Sequence, residues 1–151
     1  MDRVQEKFIL NLMQRHNVMT LATVRADGFP QATTVGYANE GFDLYFSCDT
    51  RSQKAKNIRK CDKVSATIDR DTRDWNKLKG LSLGGHAEVL KGKGAREHAY
   101  AVLLKKFPEM SGFPASDPTV AFVRVRPTVI SVLDYSQGFG HTALVKVRAT
   151  D

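Results

Sequence analysis

The strongest constraint on this chain is the close spacing of its β-forming runs. VMTLATVR (18–25), QATTVGYA (31–38) and FDLYFSC (42–48) are separated by only a few residues each. Asp27-Gly28 and Asn39-Glu40-Gly41 are turn sequences, and connections this short allow antiparallel pairing but not a parallel crossover. Pro30 has no backbone N–H to give to a ladder, so it can open the second strand but not occupy its centre. An antiparallel meander of three strands is expected. Further strands are expected at KVSATID (63–69), LKGLSLGGHAEVLK (78–91), TVAFVRVRPTVISVLDY (119–135, one or two strands bent at Pro127) and ALVKV (143–147). Gly84-Gly85 marks a bulge or a close backbone approach inside the long run.

Helical patterns are few and short. Val4, Phe8, Ile9, Leu12 and Met13 recur at the spacing of an amphipathic helix packed on something larger. A second helix is expected after Cys48, where Thr50 and Gln53 stand three apart as in a capping box. A third runs from Ala95 to Phe107, with Pro108 just beyond its end. This order does not repeat a βαβ unit. It predicts a mainly β fold, a closed or split barrel with short helices, in one domain over 1–151.

No apolar run approaches the roughly 20 residues of a membrane span, and charges interrupt the N-terminal apolar residues where a signal peptide would be continuous. A cytoplasmic protein with no membrane partner is expected. Two cysteines, Cys48 and Cys61, make neither a disulfide scaffold nor a metal motif, and the four histidines are too scattered for a metal site.

Charge is informative once it is located. Residues 51–106 hold fifteen basic and six acidic side chains, against four and six in residues 1–50 and four and four in residues 107–151. The whole net charge of +7 therefore arises in the middle third, most sharply in RSQKAKNIRK (51–60), with five bases and no acid. Such a run can track nucleic acid, hold one phosphorylated small molecule, or keep a surface solvated. Nucleic acid is disfavoured, because the bases are not interleaved with aromatic residues. In FSCDTRSQKAKNI (46–58) a strand hands over to a basic helix, whose first N–H groups and dipole favour an anion. The hydroxyls of Thr50 and Ser52 and the cations of Arg51 and Lys54 stand at that end and suit a phosphate. The plainer alternative is an ordinary cap with exposed bases.

Four segments in order, TLATVRADGFPQATTVGY (20–37), LYFSCDTRSQKAKNIRK (44–60), LSLGGHAEVL (81–90) and VRVRPTVISVLD (123–134), resemble the pyridoxamine 5'-phosphate oxidase-like FMN-binding split barrels. The resemblance implies an antiparallel Greek-key split barrel that binds FMN at a homodimer interface. It implies that Ala32, Thr33, Thr34, Val35, Gly36 and Tyr37 line the isoalloxazine ring, largely through backbone groups. Ser47, Cys48, Ser52 and Lys54 would reach the ribityl phosphate, with Thr50 and Arg51 as further contacts. Lys79 and Gly80 would belong to the wall contributed by the partner subunit. The implied activity is that of an oxidoreductase exchanging hydride or electrons with a nicotinamide or other small-molecule donor. The alternatives are a non-catalytic flavin store, sensor or stress protein, or a haem- or deazaflavin-binding relative.

Two departures separate this chain from the true pyridoxamine phosphate oxidases. The substrate-holding Arg and His of their C-terminal stretch have no counterpart in DYSQGFGHTALVKVRATD (134–151), and Gly80 stands where they place a glutamine facing the flavin. Among residues outside the four segments, His141 in a glycine-rich loop is either a proton donor towards flavin or substrate, or a loop residue without a role. Trp75 is either a stacking group at the substrate opening or a local packing anchor.

Overall fold

The computed structural model describes residues 1–148. Helix α1 (Arg3–Arg15) begins at a true capping box: the Asp2 carboxylate accepts from the Gln5 N–H at 2.8 Å, and the Gln5 side chain accepts from the Asp2 N–H at 3.3 Å. Its apolar stripe buries Ile9, Leu12 and Met13 against the sheet. β1 (Val18–Val24) and β2 (Pro30–Gly36) form a hairpin whose turn passes through Gly28 at φ +85°, a conformation that favours glycine. Pro30 is the first residue of its strand, as its missing N–H requires.

The expected three-strand meander does not continue. After β2 the chain makes a second hairpin, β3 (Ala38–Glu40) and β4 (Asp43–Asp49), which pairs at the far end of the sheet. Tyr37 causes the break. Its N–H bonds to the Asn17 carbonyl (3.1 Å), its ring is fully buried, and its hydroxyl donates to the Met13 carbonyl (2.8 Å). Burial pushes that hydroxyl well above the ordinary phenol range. β2 and β4 consequently run beside one another without a ladder, and the barrel is split there.

Helix α2 (Gln53–Lys60) leads into β5 (Lys63–Asp69) and β6 (Lys79–Val89). Helix α3 (Lys93–Lys106) then precedes β7 (Val120–Asp134) and β8 (Thr142–Lys146). All pairings are antiparallel, in the order β2-β1-β5-β6-β7-β4-β3, with β8 also on β7. The region around Pro127 is one strand: β7 pairs with β6 along one edge, and on the other with β4 through residues 120–125 and with β8 through residues 129–133. One core fills the barrel, and a smaller one, including Tyr45, Leu103 and Phe122, lies under α3.

The bulge expected at Gly84-Gly85 is present, with Gly85 facing Pro127. A Cβ at Gly85 would lie 2.2 Å from the Arg126 carbonyl oxygen and 2.8 Å from the Pro127 Cα, both backbone atoms that cannot move aside cheaply. At Gly84 the nearest atom is a Val129 methyl at 3.4 Å, an ordinary contact. Gly85→Ala is therefore expected to cost about 1–3 kcal/mol of stability, as overpacking does. Gly84→Ala should stay within about 0.5 kcal/mol. Urea unfolding of the two variants checks this contrast.

Candidate functional site

The end of β4, the start of α2 and the base of β2 meet at one corner of the barrel. Asn57, 2% exposed, holds the corner together. Its amide nitrogen donates to the Thr23 hydroxyl (3.0 Å) and to the Gln31 side-chain oxygen (3.1 Å), and its oxygen accepts from Gln53 (2.7 Å). The second turn of α2 is thereby fastened to the β1–β2 hairpin. Ala55 and Ile58 are buried beneath the helix, and its cationic side chains face away from them.

The cap of α2 differs from the sequence expectation. Ser52 is the N-cap, its hydroxyl accepting from the Ala55 N–H at 3.3 Å, so Thr50 and Gln53 form no capping box. The chain turns once more before the helix starts: the Ser52 N–H bonds to the Asp49 carbonyl (3.0 Å) and the Arg51 N–H to the Asp49 carboxylate (2.7 Å). Thr50 instead receives Arg59, whose guanidinium donates to its carbonyl and its hydroxyl, both at 2.7 Å. The N–H groups of Gln53 and Lys54 have no acceptor among the described residues, the usual state of a helix's first turn.

The charges at this corner are largely uncompensated. Arg51 has a carboxylate partner, Asp49 at 3.6 Å, whereas Lys54, Lys56, Arg59 and Lys60 have none among the described residues. The hydrogen bond from the Arg51 N–H holds the Asp49 carboxyl below its usual range, so Asp49 is ionised at neutral pH and offsets part of Arg51's charge. Two free N–H groups, the half-exposed Lys54, and the hydroxyls of Thr50 and Ser52, which keep their own protons to donate, make a donor set suited to a phosphate monoester.

Of the expected site residues, Ser47, Cys48, Thr50, Arg51, Ser52 and Lys54 follow one another from the end of β4 into α2, and α2 meets β2 through Asn57 and Gln31. On β2, Ala32, Thr34 and Gly36 are exposed, Thr33 is half-buried, and Val35 and Tyr37 point into the core. Val35 and Tyr37 can serve a cofactor only through their backbone. Ser47 and Cys48 line a cavity of ≈ 280 Å³ with Tyr100, Met110 and Phe122.

Lys79, Gly80 and His141 lie elsewhere in the protomer. Gly80 pairs with Asp69 and Leu133, on a strand three places from β2 in the sheet, about 14 Å at ordinary strand spacing. His141 is exposed and lines a separate cavity with Phe8, Asp134 and Gln137. Trp75 is 62% exposed and packs on Phe139 at 5.9 Å, so it is neither buried nor beside α2.

Sequence reasoning missed Asn57 and Arg59. Asn57 sits on the apolar face of α2 beside Ile58, and a polar residue on a buried face was the available signal. Arg59 was hidden within the run of bases.

Comparison with known proteins identifies the family and the fold. The model of the pyridoxamine 5'-phosphate oxidase family matches residues 6–134. The chain belongs to that family. No curated protein matches its sequence. Among solved structures, a Listeria innocua family member, provisionally described as a pyridoxamine 5'-phosphate oxidase, superposes with a TM-score of 0.70 at 23% identity, over 86% of this chain and 98% of that one. A haem-binding protein from Mycobacterium smegmatis gives 0.76 at 19% identity, covering 94% of this chain but 56% of its own length. HutZ, the haem storage protein of Vibrio cholerae, gives 0.70 at 18% identity, over 79% and 87%. At these identities the likeness establishes the split-barrel fold. No described helix is long and apolar enough to cross a membrane.

The Asn57 network predicts a measurable cost. Asn57→Ala leaves the buried Thr23 hydroxyl and the Gln31 and Gln53 side chains short of partners, an expected loss of about 1–3 kcal/mol. Chemical denaturation reads the loss, and amide exchange in α2 should rise ahead of exchange in β6 and β7.

Proposed function

We propose that this protein is an FMN-binding flavoprotein that works as a homodimer, with an oxidoreductase role towards a small-molecule donor. One observation carries the reading: a cationic helix start with unpaired donors belongs to a helix that Asn57 fastens to Gln31, at the base of an edge strand. FMN joins a phosphate dianion to a flat ring; the α2 start would take the phosphate, and β2 would take the ring. Lys54, the N–H groups of Gln53 and Lys54, and the Thr50 and Ser52 hydroxyls would hold the phosphate. Ala32, Thr34 and Gly36, with the unpaired edge of β2, would lie along the ring. When bound, FMN supplies hydride and electron transfer, and the protein supplies orientation and charge.

The outer face of the sheet supports the dimer. The row Thr34–Thr20–Thr67–Ser82–Ser131–Leu144 crosses six strands, and Ala32–Ala22–Ser65–Gly84–Val129–Lys146 runs beside it. These outward positions carry small or apolar side chains, apart from Lys146 at one edge, although a quarter of the chain is charged. Leu144 is 72% exposed and Val18 51%. A second copy laid on this face would cover those side chains and bring its own Lys79, Gly80 and His141 towards the first copy's β2. That arrangement gives the residues distant within one protomer a common site.

Titration of apo-protein with FMN tests the residue assignments. Lys54→Ala should weaken binding by about 1.5–3 kcal/mol, the range for a hydrogen bond to a charged group. Lys60→Ala, about two turns further along the helix and exposed, should have little effect. Equal losses at both positions would mean that the basic run acts as a diffuse patch. Sedimentation tests the assembly: the protein should run as two chains, and Thr20→Arg, a long charge set into the outer row, should give monomers that release flavin.

A further inference from the structure

At the other end of the barrel, a second cationic cluster surrounds a cleft of ≈ 710 Å³. Arg15 reaches it from the last turn of α1, Arg70 from the end of β5, Lys77 from the following 3-10 turn, and Lys79 from the first position of β6. One carboxylate, Asp71, also lines it. Lys77 lies 3.8 Å from Asp74, and Arg15, Arg70 and Lys79 have no carboxylate partner among the described residues.

A helix C-terminus normally carries partial negative charge, which would weaken an anion site beside α1. Here Lys106 removes much of that opposition. Its ammonium group donates to the Met13 and His16 carbonyls and sits 4.3 Å from the centre of the Tyr37 ring. Arg15, in the last turn of α1, faces the cleft. His16, which also lines it, registers the same field: burial lowers its pKa, Asp69 opposes, and Arg70, Lys106 and Arg15 all push it down further. A neutral imidazole among cations is a hydrogen-bonding group that adds no repulsion to them. The last turn of α1 and the segment 70–79 thus place cations around one concave surface, unlike a solvated charge run along a single helix.

We propose that this cleft is an anion subsite for a small molecule carrying two or more negative charges, phosphoryl or carboxylate. It is distinct from the phosphate site at α2 and uses Arg15 and Arg70, which no part of the flavin reading requires. Its place in turnover, holding the anionic part of the electron donor or acceptor, rests on that reading. The anion binding itself does not.

Calorimetric titration of the intact protein with pyrophosphate, and separately with succinate, tests the cleft. Arg15→Ala and Arg70→Ala should each weaken pyrophosphate binding about tenfold, as loss of a charge-assisted contact does. Arg70→Lys should retain most of the affinity. The exposed Lys91→Ala should leave it unchanged. Succinate sensitive to Arg70 would extend the class to carboxylates, and succinate without effect would narrow it to phosphoryl groups. No binding of either anion, a loss confined to Lys54→Ala, or an equal loss in Lys91→Ala would overturn the proposal. FMN titrations on the same variants keep the two readings apart. Arg15→Ala and Arg70→Ala should bind FMN like the parent, and a parent that binds no FMN would refute the flavin reading while leaving the pyrophosphate comparison intact.

Discussion

The barrel depends on β7 serving two partners on one edge. For β4 to hold its first half and β8 its second, the strand must bend where one partner ends and the other begins. Pro127 stands at that point, where its missing N–H interrupts no continuous ladder. The bend brings the backbone of β7 against that of β6, and only a residue without a side chain fits opposite, which is the role of Gly85. The register that follows sets Ser47 against Phe122 and Cys48 against Ala121, and so fixes where β4 delivers the chain to α2. The position of the candidate phosphate site is thus a consequence of a proline and a glycine far from it in sequence.

Much of this was legible in the sequence, for identifiable reasons. The first hairpin, β5, β6 and β8 were readable because alternation and turn residues are local signals. The bulge was readable because adjacent glycines weaken a strand interior and are kept there where the backbone must bend or be closely approached. The pairing of β2 with β4 was misread, because a short connection suggests adjacency. What separates the strands is the burial of Tyr37 under α1, a contact between residues far apart in the chain. The helix cap was misread for a related reason. Thr50 and Ser52 both suit an N-cap, and the choice is made by Arg59 engaging Thr50 from the last turn of the helix. At the site, residue types showed where a phosphate could bind. They could not show that Lys79, Gly80 and His141 lie across the sheet from it, since that separation is a property of strand order.

The electrostatics divide between two ends. At α2 the cations stand over a helix start whose own N–H groups are free, so charge, dipole and hydrogen bonds act in the same direction. At the α1 end the dipole would act against an anion, and Lys106 caps the carbonyls that produce it. Between the two ends lies the broad face of small outward side chains. A two-fold related copy on that face would set the α2 corner of one chain near the Lys79 end of the other. Such a copy would also cover Leu144 and Val18 and would bring the second set of site residues towards β2.

The central claim is that the α2 corner recognises a phosphate attached to a flat ring, and riboflavin is the ligand that isolates it, since it keeps the ring and lacks the phosphate. Fluorescence titration of apo-protein with FMN and with riboflavin, in the parent and in Lys54→Ala, measures what the phosphate contributes and how much of it passes through Lys54. The account predicts that the parent binds FMN far more tightly than riboflavin, and that Lys54→Ala narrows the gap by weakening FMN alone. Equal affinity for the two ligands in the parent would contradict it.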